Sequence, residues 1–69
     1  MSKLAEGDRV VFEGIADEDG PWPGDHGMLL AIAGRGGFVQ FDTDTRTAGA
    51  LQLVLMDDLA GEDEYQEGT

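Results

Sequence analysis

Glycine and turn residues cut this chain into short apolar runs. "RVVFEG" at 9–14, "GMLLAIAG" at 27–34, "FVQFD" at 38–42 and "ALQLVLMDDLAG" at 50–61 are separated by stretches rich in Gly, Pro, Asp and Thr. Short alternating runs with that punctuation favour strands over helices. In the first run Val10 and Phe12 alternate with Arg9, Val11 and Glu13, a period-2 pattern. "GMLLAIAG" is bounded by glycine at both ends and reads as a buried strand, and "GRGG" at 34–37 then links it to "FVQFD" as a four-residue hairpin connection. The last run is ambiguous. Leu51, Val54, Leu55 and Leu59 fit a helical stripe, whereas Leu51, Leu53 and Leu55 fit a strand. Propensity favours the helix, but a fourth strand would cover and close the sheet. The expectation is a strand over 50–55 followed by a tight turn over 56–59.

A chain of 69 residues makes one domain and buries only about 60% of its unfolded surface. No cysteine is present, so apolar packing must supply the stability without disulfides or thiolate metal sites. The longest apolar run, 28–33, is far below the roughly 20 residues that span a bilayer. "MSKLAEGD" carries no signal-peptide core, so the expectation is a cytoplasmic protein with no membrane partner. Fifteen Asp and Glu stand against four Lys and Arg, for a formal net charge of −11. Such a field repels phosphate backbones, so direct nucleic-acid binding is not expected. Acidity of this kind serves solubility, or it meets a partner with a basic surface.

Alternation and the glycine turns place Val10, Phe12, Leu29, Ile32, Val39, Phe41, Leu51, Leu53 and Leu59 in the core, with a bulge or bend between Leu29 and Ile32 because those two lie three apart. Gly24 and Gly27 are expected to flank a tight reversal. The stretches "GDRVVF" at 7–12, "PGDHGMLLAI" at 23–32, "VQFD" at 39–42 and "LQLVLMDDL" at 51–59 together resemble the KOW-type and related SH3-like barrels. They are similar in particular to uncharacterised small barrel domains encoded by phages and mobile elements. The resemblance implies an all-β, small SH3-like barrel of four or five short antiparallel strands with a one-turn helix near its end. The organisation expected is a flexible lead over 1–6, the barrel over 7–60 and a disordered acidic tail over 61–69, where "GEDEYQEGT" has too little apolar material to order itself. RNA-binding members of that family carry basic loops, whereas the loops here hold Asp17, Glu18, Asp19, Asp25, Asp42 and Asp44. The binding platform carries over, and the nucleic-acid activity does not.

Catalysis has little to work with. One histidine, no cysteine and a single serine at position 2 cannot assemble a nucleophile, base and orienting group. Asp25 beside His26 could orient the imidazole, although adjacent turn residues usually point to solvent. Asp17, Asp19 and Asp25 are hard oxygen ligands, but "DEDGPWPGD" lacks the calcium-loop spacing, and neither metal nor cofactor is expected. "GRGGF" reads as a hairpin turn with Arg35 in solvent, since Arg-Gly-Gly elements act as repeats in disordered segments.

The candidate site is therefore the loop "DEDGPWPGDHG" at 17–27. Trp22 between Pro21 and Pro23 either folds back over the core or stands outward as a stiffened anchor for a partner. The expected partner-binding residues are Asp17, Glu18, Asp19, Trp22, Asp25 and His26. The function expected is a small non-catalytic module, monomeric or weakly self-associating, that binds a protein with a basic patch. By the phage resemblance, that partner would be a host protein whose activity it modulates. Two alternatives stay open. One is a DNA mimic that inhibits a nucleic-acid enzyme of the anti-restriction or anti-CRISPR type, and the other is an accessory subunit of a larger assembly.

Overall fold

The computed structural model describes residues 4–16, 18, 20–45, 47 and 49–63. Five strands run in chain order: β1 (Arg9–Phe12), β2 (His26–Ala33), β3 (Gly36–Phe41), β4 (Leu51–Leu55) and β5 (Leu59–Gly61), with a 3-10 turn over Met56–Asp58 between the last two. All pairings are antiparallel, in the order β4-β3-β2-β1-β5. The all-β expectation holds, and so does a strand rather than a helix at 51–55. The closed barrel does not form, because β4 and β5 are both edges of one open sheet.

One face of this sheet holds the core: Val10 and Phe12 from β1, Leu29 from β2, Val39 and Phe41 from β3 and Leu59 from β5, with Leu4, Val54 and Met56 packed against them. A single sheet with no second layer has to curl to bury that face. The curl is helped by a register shift between Leu29 and Ala31 in the β2–β3 pair, which is the bend that the spacing of Leu29 and Ile32 requires. The β2–β3 connection is tighter than four residues. Only Gly34 and Arg35 lie between the strands, with Gly34 at φ +60°, a conformation that glycine adopts without penalty.

Three residues expected in the core lie outside it. Leu51 is 55% exposed, Leu53 61% and Ile32 38%. For β4 the reason is register: Leu51 opposes Gln40, Leu53 opposes Phe38, and Gln52 opposes the core residue Val39. Directly opposed residues share a face, and a one-residue slip turns every side chain over. So β4 turns Gln52 and Val54 inward and its leucines outward. Ile32 opposes Gly37, near the hairpin, where no side chain stands across from it. Core atoms fill that space instead, since a Cβ on Gly37 would come within 2.7 Å of Met56 Sδ and 2.8 Å of Leu29 Cδ1.

Gly24 has φ +96° and fits the expected reversal. Gly27 has a different role. It lies within β2, and a Cβ there would press on the Gln40–Phe41 backbone, 2.7 Å from Phe41 Cα. Ordered structure also extends into the acidic C-terminal stretch, for Gly61 pairs with Val10 and the Glu62 N–H donates to Arg9 O at 3.0 Å. Residues 64–69 lie outside the described residues.

Candidate protein-binding surface

The loop after β1 is tied down at its far end. Phe12 N–H donates to Asp25 O at 2.7 Å and Gly24 N–H to Phe12 O at 2.8 Å. Between these bonds Trp22, Pro23, Gly24 and Asp25 form a type II turn, with Asp25 N–H donating to Trp22 O at 3.0 Å, proline second and a positive-φ glycine third. The Asp25 carboxylate accepts the Trp22 N–H at 3.0 Å. Pro21 is buried while Trp22 is 51% exposed and outside the core cluster. Glu18 is exposed, and Asp17 and Asp19 lie outside the described residues.

His26 belongs to a different cluster from the loop it follows. Its Nδ1 lies 2.9 Å from Asp42 Oδ2, and its Nε2 3.9 Å from Asp44 Oδ1. Asp42 in turn takes both ends of the Arg9 guanidinium, at 3.0 Å from Nη1 and 2.6 Å from Nη2, and Glu62 joins at 3.3 Å from Nη2. Sheet order explains the gathering: β1, β2, β3 and β5 bring residues 9, 26, 42 and 62 to one end of the sheet. Asp42, not Asp25, is the carboxylate that meets the imidazole. One oxygen or nitrogen from each of His26, Asp42 and Asp44 falls within 4.8 Å of the others. A metal ion there would have to compete with Arg9, which already engages both Asp42 oxygens. The arrangement is an ionic clasp across four strands.

The bidentate hydrogen bonds from Arg9 hold the Asp42 carboxyl below its ordinary range. A depressed folded-state pKa gives stability that is complete above the unfolded value of about 4 and is lost as pH falls through the folded one. The stability gap between wild type and Asp42→Asn should therefore be steady near neutral pH and close as the pH drops below about 4. Urea titrations across pH check this, and a gap that persists in acid would count against the clasp.

A row of exposed apolar side chains lies elsewhere. Leu51, Leu53 and Leu55 stand 55%, 61% and 57% exposed along β4, on the same face as Phe38 and Met28 by register. Between β4 and the loop after β1 runs a groove of about 360 Å³, lined by Leu53, Leu55, Ile15, Pro21, Phe12 and Asp58 among others. Ile15 on its far wall is 90% exposed. Isolated surface leucines need no explanation, whereas a row of them beside a groove is a candidate docking surface. The sequence reading missed it because alternation sends those leucines inward. Only the register of β4 on β3 shows otherwise.

Comparison with protein-family models, curated proteins and solved structures found no match. Among the described residues no helix is long and apolar enough to cross a membrane.

Proposed function

We propose that this chain is a non-catalytic protein-binding module, an open relative of the SH3-like barrels, that docks its partner on β4 and the adjoining groove. The observation that carries this is the outward row of Leu51, Leu53 and Leu55 on an edge strand. Full burial of an exposed leucine contributes about 1.5–3 kcal/mol, and with little more than half of each side chain still exposed each gives roughly 1–2 kcal/mol, so a partner covering three gains a usable interface. Trp22, half-exposed beside the groove-lining Pro21, is suited to serve as a peripheral anchor. With a net charge of −11, the module should attract a partner bearing a basic patch, and on the resemblance of its turns to those of small phage and mobile-element barrels that partner would be a host protein. The mimicry alternative has less support, because Arg9 engages both Asp42 and Glu62, so these acids sit in an ion-paired cluster and not in a bare anionic array.

The test is capture from a native-host lysate at high salt with tagged wild type, Leu51→Asp/Leu53→Asp and Trp22→Ala. The leucine variant should fold normally and retain at least about tenfold less partner, with a smaller loss for Trp22→Ala. Equal capture by wild type and the leucine variant would refute the β4 surface. Capture that vanishes with salt alone would favour mimicry.

A further inference from the structure

The direction of the β4 backbone goes beyond its side chains. Phe41 N–H donates to Ala50 O at 3.2 Å, and Met56 N–H donates to Arg35 O at 2.8 Å. Both pairs fit the uniform β3–β4 register, in which Leu51 opposes Gln40 and Leu55 opposes Gly36. In an antiparallel ladder directly opposed residues alternate between hydrogen-bonded and non-bonded pairs. Ala50, Gln52, Val54 and Met56 therefore aim their backbone groups at β3. Leu51, Leu53 and Leu55 aim theirs the other way, along the free edge, and no backbone partner for them occurs among the described residues.

Edge strands are ordinarily protected by lysine, proline, a bulge or a covering element. β4 reads "LQLVL", with no charge and no proline, and its register on β3 has no bulge. The groove with Ile15 on its far side lies along it. Acidic groups mark the Leu55 end: Asp57 and Asp58 follow in the 3-10 turn, and Glu13 N–H donates to Asp58 O at 2.8 Å. Arg35, in the neighbouring hairpin, is the one described cation near that end.

We infer that the free edge of β4 binds an extended partner segment by strand addition. Its occupant is a strand of alternating apolar residues flanked by Lys or Arg, hydrogen-bonded to the outward N–H and C=O groups of Leu51, Leu53 and Leu55. Charge selects this occupant over a second copy, since two chains of net charge −11 repel while a basic-flanked strand is attracted. The inference rests on the proposed binding role of β4 and adds the geometry of the bound segment.

The probe is the capped peptide KRVTVTVRK added to isotope-labelled protein, with amide exchange followed by NMR. Binding should slow exchange at Leu51, Leu53 and Leu55 by about tenfold or more and leave Gln52 and Val54, already bonded, little changed. Two further peptides, N-methylated at the valines or at the threonines, block opposite edges of the probe. One should lose about tenfold or more in affinity and the other should keep it. An EEVTVTVEE peptide should bind far more weakly. No binding by KRVTVTVRK, equal effects of the two methylations, or equal binding of the acidic peptide would overturn the inference. So would dimerisation of the protein alone with the same three amides protected, which would make a second copy the occupant. If the peptides fail while the leucine variant still loses its captured partner, strand addition falls and the binding surface stands.

Discussion

Gly27→Ala should abolish the cooperative thermal transition or lower its midpoint by tens of degrees. The chain's total stability falls within roughly 3–10 kcal/mol if it follows the per-residue range of small domains. A Cβ at position 27 meets backbone, with Phe41 Cα at 2.7 Å and the Gln40 carbonyl carbon at 3.0 Å. Backbone cannot rotate aside as a side-chain tip can, so β2 and β3 would have to part where Gly27 opposes Phe41, a residue of the core. Gly34→Asn is the control. Gly34 has φ +60° and open space around its Cβ position, and asparagine tolerates that conformation, so stability should change by less than about 1 kcal/mol. Circular dichroism melts of the two variants decide it, and a Gly27→Ala protein melting within a few degrees of wild type would show that the strands are not this close.

Leu29→Ala and Leu53→Ala should differ sharply although both remove the same atoms from a strand. Leu29 is fully buried and belongs to the core cluster, so its truncation should cost about 2–5 kcal/mol. Leu53 is 61% exposed, and its loss should stay within about 0.5 kcal/mol. Urea denaturation reads both. Equal, large losses would mean that β4 faces inward, as simple alternation suggests, and would remove the proposed binding surface as well.

That contrast marks where the sequence is legible. Turn chemistry located the strands and the final turn because glycine, proline and aspartate act locally. The Leu29–Ile32 spacing revealed the bend because strand parity leaves no other way to place both residues on one face. The facing of β4 was hidden because it carries apolar residues at both parities, Leu51, Leu53 and Leu55 against Val54, and only pairing with β3 selects between them. The cluster of Arg9, His26, Asp42 and Glu62 was equally hidden, since its members are scattered along the chain and meet only through sheet order. Trp22 stands out by composition, and the structure leaves it half-exposed, next in the chain to the groove-lining Pro21.

Pairing of β1 with β5 also bears on how the chain reaches this fold. Val10 pairs with Gly61 and Phe12 with Leu59, so one core position stays empty until nearly the whole domain has been synthesised. Contacts so distant along the chain close large loops before they return any stabilisation, and folding slows accordingly. A nascent chain that has emerged only as far as Asp58 has a strand at β1 without its last neighbour and a core without Leu59. Completion of the sheet is then a late step of folding, waiting on β5 to reach β1.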